Sequence, residues 1–137
     1  MRGRKRHLLV DTQGMILGVH ITSADVRDEY GGMFLLRKVA AHYPRLAKVW
    51  VDGAYEGLFP AYAWHFHRID TEITIQQRQR NYLVTSKRWV VERTFAWLGK
   101  YRRLSKDYEY LCDTTENWIY IAMTYLLLQR LVRLKPF

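Results

Sequence analysis

Apolar positions along this chain fall into short runs, alternating stretches and helical stripes. Residues 6–11 read as a strand in which Leu8, Leu9 and Val10 are closed by Asp11. Thr12, Gln13 and Gly14 carry a turn signal and residues 15–21 read as a second strand, so a hairpin is predicted. After a loop over residues 22–25, residues 28–43 have helical spacing. Leu35, Val39 and Tyr43 can share a face there, with Phe34 beside them, and Pro44 ends the helix. Residues 48–52 form a short apolar run that closes on an acid, Asp52, followed at once by Gly53. Residues 56–67 read as helical, with Pro60 starting or perturbing the segment. Residues 71–76 alternate and predict another strand.

Residues 85–98 read as a helix that stops near Gly99. Residues 100–113 are irregular and polar. Asp113-Thr114-Thr115-Glu116 has capping-box spacing, with Asp in place of Ser or Thr. A helix over residues 114–134 follows, apolar on most faces, so burial is predicted. The order β-β-α-β-α-β-α-α indicates a single α/β domain without repeats or long linkers.

Composition narrows the class. The 137 residues are 49% hydrophobic and 26% charged, which excludes a disordered or low-complexity chain and leaves one domain or part of a larger one. The lone cysteine, Cys112, can form no internal disulfide, makes no zinc site alone and has no evident base partner; the cytosol is the simplest compartment. The basic start, Met1 to Arg6, is not followed by a long apolar stretch, so it does not read as a signal peptide. The apolar run Trp118 to Leu128 is shorter than the ~20 residues a bilayer needs, so no membrane role is expected.

Charge adds a partner. The net charge is +9, which suits a polyanion, most often nucleic acid. Residues 78–106 hold nine basic side chains against one acid, Glu92, and interleave them with Tyr82, Trp89, Phe95, Trp97 and Tyr101. Such a block fits a phosphate backbone and unpaired bases. It fits equally a helix with a solvated basic face and an aromatic core face.

Two carboxylates stand out. Asp52 ends an apolar strand beside a glycine, where open α/β sheets carry functional groups; it could equally cap the next helix. Glu92 stands among basic residues, with Arg88 four positions before it and Arg93 directly after. Arg88 and Glu92 are either a surface ion pair worth a few tenths of a kcal/mol, or a metal-binding carboxylate beside a phosphate-gripping cation. Two-metal phosphoryl transfer requires converging carboxylates, and their oxygens suit Mg²⁺ or Mn²⁺. His65 and His67 form H-x-H without zinc-ligand spacing nearby and read as surface histidines; His20 reads as structural. Nucleophile-elbow, P-loop and dinucleotide fingerprints are absent from the sequence.

Three segments, residues 3–12, 49–55 and 88–98, together with residues 101–109, resemble bacterial insertion-sequence transposases of the IS-five group, which carry a DDE catalytic domain. The resemblance runs almost end to end and is most specific around Glu92. It implies an RNase H-like mixed sheet flanked by helices, and an enzyme that cuts and joins DNA at element ends with Mg²⁺ (or Mn²⁺). Asp52 then corresponds to the second catalytic Asp and Glu92 to the Glu, both as metal ligands. Arg88 matches the family's Arg-x-x-x-Glu feature. The family's basic residue two turns beyond the Glu would fall at Gly99, so Lys100 is the nearest candidate. Arg88, Arg93, Lys100, Arg102 and Arg103 are the expected DNA contacts. Asp11 resembles a different family Asp and is expected to be structural.

The family's first Asp lies on a strand upstream of the segment with which this chain starts. The resemblance therefore implies residues 1–137 as a partial catalytic domain, lacking the first, central strand and the first catalytic Asp. Its partners would be DNA (element ends and target), an intact transposase or a second copy, in a bacterial cytoplasm at the nucleoid. Two readings follow: an enzyme part inactive alone, joined to its upstream half by frameshifting, or a non-catalytic remnant that binds DNA or an intact transposase.

Overall fold

The computed structural model describes residues 3–74, 88–104, 106 and 109–134. The predicted hairpin forms from β1 (Arg4–Val10) and β2 (Ile16–Ser23), antiparallel, with His7 opposite His20. Its turn is built by Asp11. Asp11 Oδ1 accepts from Gln13 N and Met15 N, both at 2.9 Å, while Gly14 takes the positive φ of 86° that closes the turn. Asp11 is thus structural, as expected.

Helix α1 (Asp28–Val39) carries acids in its first turn and Arg37 and Lys38 in its last, matching the helix dipole. It stops earlier than the apolar spacing predicts. Residues 40–42 tighten into a 3-10 turn, and Tyr43, which precedes Pro44 and is steered from helix by it, leaves the helical region. Strand β3 (Lys48–Asp52), helix α2 (Phe59–His67) and strand β4 (Asp70–Thr74) make a parallel crossover unit, with Lys48 opposite Asp70 and Asp52 opposite Thr74. Helix α2 begins after the predicted residue 56, with Pro60 in its first turn and buried Glu29 accepting from Leu58 N at 2.7 Å just before it. The chain leaves α2 through Arg68 in a left-handed cap. The last part of the predicted strand, residues 75–76, lies outside the described residues.

Helix α3 (Arg88–Gly99) and helix α4 (Cys112–Leu134) complete the architecture, with a 3-10 turn over Arg102–Leu104 between them. The start of the predicted helix, residues 85–87, lies outside the described residues. Two expectations for α4 are corrected. The helix already starts at Cys112, so Glu116 is not a capping residue. Its carboxylate leaves the helix, accepting from Ile21 N at 3.0 Å and from Lys38 Nζ at 2.6 Å. Nor is the helix buried throughout: Ile119, Ala122 and Met123 are, whereas Ile121, Tyr125, Leu128 and Val132 are exposed.

Two apolar clusters hold these elements. Val19, Ile21, Leu98, Leu104, Ile119 and Ala122 pack the hairpin against α3 and α4, with Leu8 at the margin. Leu36, Val49, Phe59, Ala63 and Ile69 join α1 and α2 to β3 and β4, with Leu9 and Val51 at the margin. The result is a mixed α/β architecture compatible with the RNase H-like expectation. Among the described residues its strands form two separate two-stranded sheets, β1–β2 and β3–β4.

Candidate active site

A concavity lies between the two sheets. It has a volume of about 640 Å³ and runs along β1 and β3, closed by residues of α1 and α3. Val49, Trp50, Val51 and Asp52 of β3 all line it. Val49 and Val51 face the α1–α2 cluster, so the period of two sends Trp50 and Asp52 to the opposite face. Glu92 lies on α3, one turn from Phe95, and both line the cleft. The structure thus brings Asp52 and Glu92 to one cavity, from a strand end and a helix 40 residues later.

Asp52 has two duties. Its Oδ1 accepts from Ala54 N at 3.0 Å and caps the 3-10 turn Gly53–Tyr55, the capping role its position allows. The same turn delivers Tyr55 to the cleft wall. Tyr55 Oη pairs with His7 Nδ1 at 2.9 Å, and His7 Nε2 with Thr22 Oγ1 at 2.9 Å. Burial pushes the Tyr55 phenol well above its ordinary range, helped by the charges of Asp28 and Asp52. Burial likewise lowers His7, against the pull of Asp28. These groups hold the site as a neutral hydrogen-bonded chain. A side chain at position 31 would meet His7, since a Cβ on Gly31 would lie 2.2 Å from Nε2.

A third carboxylate, Asp28, also lines the cleft and went unnoticed in the sequence, where it reads only as a helix-starting acid. It pairs with Lys5 Nζ at 2.9 Å. Among the described residues, no three His, Cys, Asp or Glu side chains are grouped to hold a metal ion. The pair Asp52 and Glu92 nevertheless fits Mg²⁺ in kind, since that ion binds through one or two carboxylates and completes its shell with water and phosphate oxygens. His65 and His67 do not line this cleft.

The basic candidates divide. Arg93 turns from the cleft toward the hairpin: its Nη2 donates to Gln13 O at 2.7 Å and its guanidinium lies 4.8 Å from the Trp97 ring. Thr94, fully buried beside it, donates to Gly14 O at 2.7 Å. Lys100 and Arg102 are exposed just past the end of α3, outside the cleft lining. Arg88 opens α3; its side chain, that of Arg103, and residues 78–87 of the basic block lie outside the described residues. Among the described residues, no helix is long and apolar enough to cross a membrane.

Comparison with known proteins identifies the family. A family model described as a transposase DDE domain matches residues 1–127. A protein of Burkholderia cepacia, named as a transposase for insertion sequence element IS402, is 30% identical over 118 residues, covering 81% of this chain. The chain spans 56% of that relative's length. No solved structure shows significant similarity. The chain belongs to the family of transposase DDE domains.

Proposed function

We propose that this chain is the part of an IS-five group transposase that contributes Asp52 and Glu92 to metal-dependent cleavage and transfer of DNA strands. The observation that carries this reading is that these two carboxylates line one cleft, from β3 and α3. In the proposal the surrounding fold is RNase H-like. A bound Mg²⁺ or Mn²⁺ would supply polarisation of the scissile phosphate and an activated water. Asp52 presents one carboxylate oxygen while its other fixes the Gly53–Tyr55 turn, so strand and site cannot move independently. Tyr55 and His7, kept neutral by burial, add no competing charge. Lys100, Arg102, Arg103 and Arg88 belong to or follow the helix that bears Glu92 and would meet a phosphate backbone, as would Arg93, which also ties α3 to the hairpin through Gln13 O. With Asp28 committed to Lys5, a further carboxylate must come from outside residues 1–137, and the chain alone is inactive.

The test is cleavage of a labelled duplex bearing the element ends by the product isolated from its host, with Mg²⁺ or Mn²⁺. Asp52→Asn and Glu92→Gln each lower the rate by about 100-fold or more, the scale of losing one electrostatic stabiliser. Unchanged rates in both variants overturn the assignment. DNA binding by the chain itself weakens steeply with added salt.

A further inference from the structure

Strand β2 reads Ile16-Leu17-Gly18-Val19-His20-Ile21-Thr22-Ser23. It is rich in β-branched residues and holds no acid, lysine, arginine or proline. That is the composition of a segment that pairs with other chains when its edge is open. One edge is taken by β1. On the other, among the described residues, no strand is paired. An antiparallel strand turns the backbone groups of every second residue outward. On β2 these belong to Leu17, Val19 and Ile21. Left bare, they would be a template for a further strand.

Side chains meet them instead. Tyr43 Oη donates to Leu17 O at 3.0 Å. Val19 N donates to Tyr120 Oη at 3.1 Å, and Lys38 Nζ donates to Val19 O at 3.3 Å. Ile21 N donates to Glu116 Oε1 at 3.0 Å, and Lys38 Nζ closes the row on Glu116 Oε2 at 2.6 Å. The spacing explains how a helix can serve a strand. Four residues along α4 advance about 6 Å, and two residues along β2 about 7 Å. Glu116 and Tyr120 therefore keep step with Ile21 and Val19, along elements that run in opposite directions. Lys38 comes from α1 and Tyr43 from the bend after it, so three segments converge on one edge.

We infer that Tyr43, Lys38, Glu116 and Tyr120 form a guard that takes the place of a neighbouring strand on β2 and keeps the hairpin from adding a strand of another chain. Satisfying buried groups does not account for the whole row. Water could serve Val19 O in place of Lys38, whose side chain is 44% exposed; the ammonium adds an obstacle that water would not. An incoming strand must part Lys38 from Glu116 and leave a buried carboxylate without its cation, which is strongly unfavourable. The inference stands on the outer edge of β2 and does not rest on Asp52 or Glu92 binding metal.

The test uses the full 137-residue chain without DNA or metal. Tyr43→Phe with Tyr120→Phe removes two guard hydroxyls and keeps both rings. A four-site variant adds Lys38→Ala and Glu116→Ala, changed together so that neither charge is left alone. Light scattering over a concentration series reads the midpoint of self-association. That midpoint falls at least tenfold in the two-site variant and further in the four-site one. Hydrogen exchange at the Val19 amide is at least tenfold faster than in the parent chain at low concentration, and slows again in the associated form. Thr74→Val loses a hydroxyl bond of the same kind, to Val51 O on the other sheet, and leaves the midpoint in place. An unchanged midpoint in the two-site variant overturns the inference, as does an equal fall in Thr74→Val. Association that leaves the Val19 amide open overturns it too, since the contact would then lie elsewhere. If the four-site variant loses its far-ultraviolet circular dichroism, the two-site variant decides alone.

Discussion

The two sheets are stabilised in different ways. The crossover unit β3–α2–β4 is local: Asp70 N bonds Ala47 O at 2.9 Å, Lys48 pairs with Glu72 at 2.7 Å, and Phe59, Ala63 and Ile69 fill its core. The hairpin is held from far along the chain. Arg4 reaches Glu109 O at 2.8 Å, Arg6 reaches Leu104 O at 2.9 Å, and Glu116 accepts from Ile21 N. Helix α1 touches both units, and α3 bears on β1 and β3 alike. One half of the cleft is thus shaped by nearby sequence, and the other by ties spanning about a hundred residues.

The strongest way to break this contrast is to open each core. Phe59→Ala in the crossover unit costs about 3–5 kcal/mol and Ile119→Ala beneath the hairpin about 2–5 kcal/mol. Because α1 and α3 join the halves, urea unfolding followed by tryptophan fluorescence and circular dichroism gives one coincident transition for each variant. Two separated transitions would make the halves independent. Next in size is the polar tie. Glu116→Ala strands the buried Ile21 N–H and costs about 1–3 kcal/mol, whereas Glu116→Gln, which keeps an acceptor, loses less. Equal losses would mean that Lys38, rather than Ile21, is the partner that matters.

Acid probes the hairpin specifically. Burial lowers both His7 and His20 below the ordinary value of 6.5; Asp28 opposes this at His7 and Glu116 at His20. The unfolded chain therefore takes up protons first. Full stability is present above pH 6.5 and is lost as pH falls from 6.5 toward the lowered folded-state values. His7→Gln flattens the slope of unfolding free energy between pH 7 and 5; an unchanged slope would remove His7 from the account. The smallest effect concerns Asp52. Asp52→Ala loses the cap on Ala54 N and about 1 kcal/mol, while Asp52→Asn retains the acceptor, so a difference in melting temperature between the two isolates the capping role from any chemistry.

How much could be read beforehand follows the same division. Strand β3 was legible to the residue, because an apolar run between Pro44 and Gly53 is a local signal, and Asp52 stood out for the same reason. Glu92 was legible from its isolation among cations. The His7–Tyr55–Thr22 chain was not, since the three residues come from separate elements and carry no spacing pattern. Asp28 was hidden by its ordinary position at a helix start. Glu116 looked like a cap because Asp113 to Glu116 has the right spacing, but a long-range acceptor for Ile21 outweighed the local one. The exposed face of α4 was missed because a helix apolar all round reads as buried. A period tells which faces are apolar and is silent about how many of them find a neighbour. Arg93 was read as a phosphate contact on charge, and its bond to a carbonyl of the hairpin turn, eighty positions away, had no local signal.

That turn has a consequence for how the chain can vary by descent. Gly14 sits where a Cβ would lie 2.9 Å from Thr94 Oγ1, and its carbonyl and that of Gln13 are both bonded to α3. A residue inserted between Asp11 and Met15 would displace two anchor points of the helix that bears Glu92. The hairpin tip is therefore locked in length as well as in composition.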